Sequence, residues 1–233
     1  MPTSTVENYV KNIYTEQLAS HPRPVPMGRI ASLLNVVPGT ATTMVKSLAA
    51  SGLVTYKPRV GVHLTERGEK LALTMLRKHR LVEVFLVKIM GYDWSEIHDD
   101  AERLEHAVSE KMLDSMDRLC GYPEFDPHGD PIPSASGKVA IRSLRSLNTC
   151  TVGALVVVAR LLNQETTFLQ FANAQGLKPG THLTITQRIP SADALSLKLE
   201  NTGQVVVLGS KVAESILVED LEGHHQPLAD ADR

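Results

Sequence analysis

Four side chains that can bind a metal ion lie within the short stretch HDDAERLEHAVSE, residues 98–110. They are His98, Glu102, Glu105 and His106. On an α-helix that turns about 100° per residue, all four side chains point to roughly one quarter of the helix surface. One face of this predicted helix therefore carries two carboxylates and two imidazoles.

An apolar stripe adjoins that polar quarter of the predicted helix. Its members are Ala101, Val108, Met112 and Leu119. Carboxylates and imidazoles beside a buried stripe are costly unless something positive lies among them. The pattern therefore indicates either a solvated acidic face with two incidental histidines or one half of a metal site.

A second pair of potential ligands lies in KHRLVEVF, residues 78–85. His79 and Glu83 are four residues apart, so they are neighbours on one helix face. Two adjacent helices thus supply six carboxylate and imidazole groups and no thiolate. This donor set suits Mn(II) or Fe(II) better than a structural zinc ion.

The composition indicates a soluble globular protein. The chain has 233 residues, of which 42% are hydrophobic and 21% charged, which is ordinary for this class. No apolar run approaches the roughly 20 residues that span a bilayer, and no signal-peptide pattern is present. The chain has two cysteines, Cys120 and Cys150, which do not suggest a disulfide scaffold and so indicate a reducing cytoplasm. Both thiols are predicted to pack as small apolar side chains.

Charge is distributed unevenly along the chain. Residues 1–80 contain 11 Lys and Arg against 4 Asp and Glu, whereas residues 81–150 contain 7 against 13. A basic N-terminal segment followed by acidic segments predicts a polyanion-binding domain joined to a part of the chain with a different role.

The first 72 residues have the pattern of a winged helix-turn-helix. Helical spacing is present in residues 5–19, 27–35 and 40–52, and Gly52 is a plausible helix terminator. Two strand-like runs, LVTYKP and VHLT, follow. From Thr65, a predicted N-cap, a long helical pattern extends to Gly91.

The remainder of the chain predicts a mainly α protein with a small β part. A helix over residues 95–120 precedes a Pro- and Gly-rich connector, and short β-branched runs with a helix-and-turn insertion follow from about residue 148. The predicted domains are residues 1–72 (DNA binding), 73–147 (helical, with the connector), 148–226 (SH3-like β domain) and 227–233 (a disordered tail).

The start of the second helix of a helix-turn-helix lies in the major groove of DNA. Here that start is PGTATTMVK, and the wing lies between the two strands. Hydroxyls and methyls can contact bases, and lysines and arginines can contact phosphates. The predicted DNA-binding residues are Pro38, Gly39, Thr40, Thr42, Thr43, Lys46, Lys57 and Arg59. The alternative is that these small hydroxyl residues only cap a structural helix.

The arrangement resembles the diphtheria toxin repressor family of metal-dependent transcriptional regulators, including its manganese-responsive branch. The resemblance covers nearly the whole chain, including a C-terminal SH3-like (FeoA-like) domain. Its specific motifs are RKHRLVE, HDDAERLEH and the connector GYPEFDPHGDPIP.

The resemblance implies a primary metal site formed by Glu102, Glu105 and His106. Iron-responsive members have Cys at the first of these positions, so Glu102 resembles the manganese branch, and a hard oxygen ligand suits Mn(II). The fourth ligand of relatives aligns with Asn8, for which the adjacent Glu7 is an alternative.

Lys11 departs from the family pattern. Small manganese regulators have Glu at the position of Lys11, and this difference argues against their closely spaced two-metal cluster. Asn8 is the second departure, because its amide oxygen can coordinate a metal but contributes no charge.

The resemblance also implies an ancillary site formed by His79, Glu83 and His98. Further ligands would come from the connector or the β domain, and the candidates are Asp126, His128, Gln164 and Glu165. Four further histidines are interpreted as ordinary surface or core residues; they are His63, His182, His224 and His225.

The predicted function is that of a transcriptional regulator that depends on Mn(II), or alternatively on Fe(II). It is predicted to bind an inverted-repeat operator in double-stranded DNA as a homodimer. Metal would draw the first helix against the dimerisation helices and fix the angle between the paired winged helices. Two alternatives are a winged-helix regulator that responds to an organic ligand and a carboxylate-bridged metalloenzyme. The DNA-binding module argues against the enzyme.

Overall fold

A computed structural model of the chain describes residues 2–19 and 24–221. Contacts divide the chain into two units. The first comprises Met1–Val82, Asp100–Tyr122 and Ile132–Val139, and the second comprises Glu83–Asp99, Pro123–Pro131 and Ala140–Arg233. The predicted tail, His224 and His225 lie outside the described residues.

The N-terminal part of the first unit is the winged helix-turn-helix that the sequence predicted. Its elements are α1 (Ser4–Ala19), α2 (Met27–Leu33), α3 (Pro38–Ala50), β1 (Val54–Lys57) and β2 (Gly61–Leu64). The strands pair antiparallel, with Val54 opposite Leu64 and Lys57 opposite Gly61. Each of the five elements contributes buried apolar residues to one core.

Local sequence explains the ends and the buried face of α3. Pro38 occupies its first turn, where the missing backbone N–H has no helical partner to lose. Ala41, Val45 and Leu48 follow at helical spacing and are buried. The helix ends before Gly52, whose φ of 72° is a left-handed conformation that glycine adopts without strain.

Three helices follow in the middle of the chain. They are α4 (Glu66–Lys88), α5 (His98–Leu104) and α6 (Glu110–Leu119). Thr65 caps α4 as predicted, because its Oγ1 accepts a hydrogen bond from the backbone N–H of Gly68 at 3.2 Å. Among the described residues, no helix is both long and apolar enough to cross a membrane.

The prediction of one helix over residues 95–120 is wrong, because the chain turns between α5 and α6. Ser109 causes the break: its hydroxyl accepts a hydrogen bond from the backbone N–H of Met112 at 3.3 Å and so starts a new helix. Glu105 and His106 therefore lie in the turn after α5 rather than on a continuous helix.

The break also divides the predicted apolar stripe. Ala101 and Val108 are buried, as expected of such a stripe. Met112 and Leu119 are exposed, since α6 has its own direction and buries Leu113 instead. A periodicity that assumed one uninterrupted helix could not place these residues correctly.

The second unit contains the predicted small β domain. Its elements are β3 (Arg145–Ser146), β4 (Leu155–Leu161), α7 (Thr166–Ala174), β5 (His182–Ile189), β6 (Ala194–Leu199), β7 (Val205–Gly209), α8 (Ser210–Glu214) and β8 (Ile216–Asp220). The sheet order is β3-β8-β4-β5-β6-β7. Alternating apolar residues of the strands supply the buried core, as period-2 patterning predicts.

Trp94 anchors the segment between α4 and α5 to this β domain. Its ring packs against the core of the domain. Its Nε1 donates a hydrogen bond to Oδ1 of Asn173 on α7 at 2.9 Å. A large apolar ring whose polar edge is satisfied is a strong anchor.

The loop over residues 126–130 is held equally closely against β4. The backbone N–H of Leu161 donates to the carbonyl oxygen of His128 at 2.9 Å. Gly129 has a φ of 89°, and a Cβ there would lie 2.0 Å from the carbonyl oxygen of Ala159. Only glycine permits this approach, which fixes the position of His128.

Candidate functional site

One group of charged side chains joins α1 to α4 and to the turn after α5, and we call it the α1 cluster. It consists of Glu7, Lys11, His79, Glu102, Glu105 and His106. Glu105 is its most deeply buried member, with no exposed surface. All of these residues belong to the first unit.

Lys11 is the principal cation of the α1 cluster. Its Nζ donates hydrogen bonds to Oε1 of Glu102 at 2.7 Å and to the two carboxylate oxygens of Glu105 at 2.7 and 2.9 Å. Nδ1 of His79 lies 2.6 Å from Oε2 of Glu105. Because every oxygen of Glu105 contacts a nitrogen, this buried carboxylate is fully satisfied.

His106 connects the same cluster to the start of α1. Its Nδ1 lies 2.7 Å from Oε2 of Glu7, and its Nε2 lies 3.5 Å from Oε1 of Glu105. Asn8 has a buried Oδ1 that accepts no hydrogen bond within the described part of the chain. The predicted primary ligands are thus brought together, with Glu7 rather than Asn8 in contact with His106.

The ligand atoms of the α1 cluster are close enough for a metal ion, but a cation is already among them. His79, Glu102 and Glu105 each offer an atom within 4.8 Å of the others. Lys11 contacts both carboxylates, so a divalent ion would share them with an ammonium group. The donor set therefore fits a metal poorly while Lys11 stays in place.

A second group, which we call the loop cluster, lies in the second unit. It consists of Glu83, His98, Asp126 and His128. Nδ1 of His98 lies 3.6 Å from Oε1 of Glu83, and Nδ1 of His128 lies 3.8 Å from Oε2 of Glu83. Glu83, Asp126 and His128 are all buried and offer ligand atoms within 4.8 Å of one another.

His128 is oriented as a metal-binding histidine would be. Its Nε2 lies 3.0 Å from the carbonyl oxygen of Trp94, which can only accept, so the N–H at Nε2 donates a hydrogen bond to that oxygen. Nδ1 then has a lone pair, and this buried atom makes no hydrogen bond within the described residues. Ligating histidines commonly have their second nitrogen fixed in this way.

Asp126 is held rigidly by the backbone of its own loop. Its Oδ1 accepts hydrogen bonds from the backbone N–H groups of His128 at 2.8 Å and Asp130 at 2.9 Å. The loop cluster therefore fits a divalent cation, whose charge would offset two buried carboxylates.

The predicted ancillary ligands make several close contacts. Glu83 and His98 contact each other, with Asp126 and His128 nearby, and His79 contacts Glu105. Gln164 donates to Oδ2 of Asp130, a carboxylate that also pairs with Arg160. Glu165 is exposed at the start of α7 and does not join the loop cluster.

The predicted DNA-binding residues form an exposed surface on α3 and the wing. The exposed members are Pro38, Gly39, Thr40, Thr43, Lys46, Lys57 and Arg59, and Thr42 is partly buried. The hydroxyl of Thr43 donates to the carbonyl oxygen of Gly39 at 3.0 Å, which leaves its methyl and oxygen at the surface. Arg59 has a φ of 64° at the tip of the wing, beside Lys57.

Sequence reasoning identified Lys11 as a departure but missed its contacts with Glu102 and Glu105. The available signal was its spacing: Lys11 lies four residues after Glu7 and therefore on the same face of α1. Trp94 was missed altogether, since a lone tryptophan between helices has no periodicity.

Three family models match successive parts of the chain. Residues 1–62 match the iron dependent repressor N-terminal DNA binding domain, and residues 65–134 match the iron dependent repressor metal binding and dimerisation domain. Residues 145–220 match the FeoA domain.

Several known proteins are similar to this chain. An uncharacterized HTH-type transcriptional regulator of Methanocaldococcus jannaschii is 35% identical over 49% of the chain and 90% of that protein. The HTH-type transcriptional regulator MntR of Lysinibacillus sphaericus is 33% identical over 54% of the chain and 89% of that protein. For the iron-dependent repressor IdeR of Mycobacterium tuberculosis, the identity is 34%, over 55% of each protein.

Solved structures extend the similarity over the full fold. A manganese-dependent transcriptional repressor in complex with manganese is 37% identical, with a TM-score of 0.83 over 93% of this chain and all of that one. The manganese regulator SloR is 30% identical, with a TM-score of 0.71 over 92% of this chain and 98% of that one. The chain therefore belongs to the iron-dependent repressor family of metal-dependent transcriptional regulators.

Proposed function

We propose that the chain is a cytoplasmic homodimeric repressor whose binding to operator DNA depends on Mn(II), or alternatively Fe(II), and that it controls metal-homeostasis genes. The observation that carries this proposal is the buried loop cluster, in which Nδ1 of His128 faces Glu83 without a hydrogen bond. A divalent cation among two buried carboxylates and an oriented imidazole would be favourable, because its charge offsets theirs.

The composition of the loop cluster favours Mn(II) or Fe(II). Its oxygen and nitrogen donors include no thiolate, and both cysteines lie elsewhere and are buried. The similar proteins agree with this choice, because they include a manganese-dependent repressor and an iron-dependent repressor. A bound ion would supply the positive charge that holds Glu83 and Asp126 together.

The position of Glu83 suggests how metal affects DNA binding. Glu83 lies on α4, a continuous helix that begins two residues after β2, the second strand of the wing. Fixing Glu83 to the loop over residues 126–130 restricts the end of this helix. We infer that the restriction selects one orientation of the winged helix from a wider range.

The DNA surface supports an inverted-repeat operator. A two-fold dimer would present two copies of α3 to successive major grooves, with Thr40 and Thr43 at base edges. Lys46 on α3 and Lys57 and Arg59 on the wing would contact phosphates. The matched dimerisation domain is the source of the predicted two-fold symmetry.

The test is anaerobic binding of the chain to promoter-proximal DNA, titrated with Mn(II), Fe(II) or Zn(II) against a chelator. We expect Mn(II) or Fe(II) to raise the affinity at least about tenfold, a coupling of about 1.4 kcal/mol. Trp94 is the only tryptophan, and its ring lies 5.9 Å from that of His128, so its fluorescence reports metal binding directly.

His128→Gln should abolish both responses, since it removes the oriented Nδ1. The matched control is His182→Gln, which alters an exposed histidine of the β domain. Metal-independent DNA binding by the wild type would favour regulation by an organic ligand instead. A full metal response in His128→Gln would show that the loop cluster is not the regulatory site.

A further inference from the structure

Gly28, Gly39 and Gly68 lie within helices, but the packing of the protein explains only the last of them. A Cβ at Gly68, in the first turn of α4, would overlap with the carbonyl oxygen of Leu53. A Cβ at Gly28 or Gly39 would meet no atom within 4 Å beyond its neighbours along the helix, and neither residue has a left-handed φ. The interior of the protein therefore does not require glycine at these two positions.

Glycine at position 39 also costs stability. Gly39 is the second residue of α3 and is exposed. Glycine loses more backbone freedom on folding than alanine does, so alanine stabilises a protein wherever the backbone and the surrounding space suit it. Both conditions hold at Gly39. A residue that weakens its helix and is not required by packing points to a contact outside the chain.

The side chains beside Gly39 are short, so α3 can contact base edges only if its backbone lies close to them. Residues 36–45 include no Lys, Arg, Asn, Gln, Asp or Glu, which are the longer side chains that hydrogen-bond bases. The other exposed residues in the first two turns of α3 are Pro38, Thr40 and Thr43. The hydroxyl of Thr43 already donates a hydrogen bond within the helix, to the carbonyl oxygen of Gly39 at 3.0 Å.

We propose that Gly39 is the point at which the backbone of α3 contacts the base pairs of the operator, and that its missing side chain sets how far α3 enters the major groove. This inference rests on the proposed function and deepens it, because it names a residue that determines specificity. The start of the second helix of a helix-turn-helix lies in the groove. A methyl group at Gly39 would lie between α3 and the bases, and it would hold Thr40 and Thr43 away from them.

The contact at Gly39 should matter for the operator complex and not for other DNA. Unrelated DNA is bound chiefly through phosphates, and such contacts carry no sequence information. Lys46, Lys57 and Arg59 are exposed and can supply them without α3 touching the bases. The ratio of the operator affinity to the affinity for unrelated DNA is therefore the readout, and a merely structural role of Gly39 would not change it.

The test compares the full-length wild type with Gly39→Ala and Gly39→Leu. Fluorescence anisotropy measures binding to promoter-proximal DNA and to an unrelated duplex of the same length, anaerobically with Mn(II) and again with a chelator. We expect Gly39→Ala to lower the ratio of the two affinities at least about tenfold, the effect of losing one base contact, and Gly39→Leu to lower it further. Alanine and leucine are good helix formers, so neither variant should lower the midpoint of urea unfolding.

Gly28→Ala is the matched control. Gly28 is the second residue of α2, is exposed and has the same open surroundings as Gly39. In a helix-turn-helix this first helix crosses the DNA backbone, where contacts are independent of sequence. A methyl group at Gly28 should therefore change both affinities by the same factor, if at all, and leave their ratio as in the wild type.

Three results would overturn the contact at Gly39. The first is an unchanged ratio in Gly39→Ala, and the second is an equal fall of the ratio in Gly28→Ala. The third is a fall of the ratio together with a lower midpoint of urea unfolding, which would give Gly39 a structural role instead. Equal losses on both DNAs leave the ratio unchanged and would place the contact at the phosphates.

The two DNA conditions separate this inference from the proposed function. A wild type that prefers promoter-proximal DNA equally with Mn(II) and with chelator would contradict metal control, while the ratio in Gly39→Ala would still decide the contact. A wild type that prefers promoter-proximal DNA under neither condition would contradict operator binding and this inference with it.

Discussion

At the residue scale, the two clusters differ in what offsets their buried carboxylates. Glu105 has an ammonium and an imidazole in hydrogen-bonding contact. The contacts of Glu83 include two imidazole nitrogens at 3.6 and 3.8 Å, which is longer than a hydrogen bond. The same residue types thus form a closed ion-pair network in one place and an arrangement suited to coordination in the other.

Glu105→Gln should destabilise the fold strongly, because it leaves the buried Lys11 with a single carboxylate. Removing one partner of a buried ion pair typically costs about 3–5 kcal/mol. The measurement is urea unfolding of the metal-free protein. Glu110→Gln is the control: Glu110 pairs with Lys78 but its side chain is 71% exposed, so its loss should cost about 1 kcal/mol or less. Equal effects of both variants would contradict the closed network.

The sequence predicted the groups of charged side chains only in part. It placed His98, Glu102, Glu105 and His106 on one helix face, whereas His98 contacts Glu83 and the other three belong to the α1 cluster. Their division between two clusters depends on where α5 ends and on side chains far away in sequence, such as Lys11. Helical periodicity contains no information about either.

At the element scale, the winged helix was predictable because its signals are local. Apolar spacing, Pro38 at the start of α3 and Gly52 after its end each fix one boundary. The break between α5 and α6 was missed, although Ser109 followed by Glu110 is a common helix start. The competing apolar spacing across residues 101–119 concealed it.

Lys46→Met should weaken operator binding and the binding of unrelated DNA by similar factors. Lys46 is exposed on α3, and a phosphate contact contributes affinity without sequence information. The dependence of log K on log salt concentration should fall by about one unit. Gel-shift titrations at several salt concentrations measure this, with the exposed Lys178→Met of the β domain as the control. A loss confined to the operator would instead indicate a base contact.

The anchor of the segment between α4 and α5 should weaken in acid through Asp93. Hydrogen bonds from the backbone N–H and the hydroxyl of Ser95 lower the pKa of Asp93, and the amide of Asn173 on α7 contributes further. A lowered folded-state pKa stabilises the fold above the unfolded pKa of about 3.9, and this stabilisation is lost as the pH falls below that value.

Fluorescence of Trp94 measures this loss, because its Nε1 donates to the same Asn173. The emission should change as the pH falls below about 4, the unfolded pKa of an aspartate. Asp93→Asn should reduce the pH dependence, and Asp99→Asn, at an exposed position outside this contact, should preserve it. An unchanged acid transition in Asp93→Asn would assign the effect to other carboxylates.

At the scale of the whole molecule, the charge distribution agrees with a DNA-binding role for the N-terminal part and a metal-binding role for the middle of the chain. The basic N-terminal 80 residues contain the exposed surface of α3 and the wing, and the acidic residues 81–150 supply most carboxylates and imidazoles of the two clusters. One chain thus combines an exposed basic surface with buried groups of carboxylates and imidazoles. A regulator that responds to a metal ion and binds DNA requires both a basic surface and a group of metal-binding side chains.

Operator geometry tests whether two winged helices act as one rigid pair. In a fixed two-fold dimer, both α3 helices meet major grooves only if the half-sites have one spacing, and five added base pairs rotate one half-site by about half a turn. We expect such an insertion to reduce the affinity, measured anaerobically with Mn(II), to that of a lone half-site. A spacer of unchanged length but altered sequence is the control. If the insertion left the affinity intact, the two winged helices would bind independently, and the metal could not act by fixing their orientation.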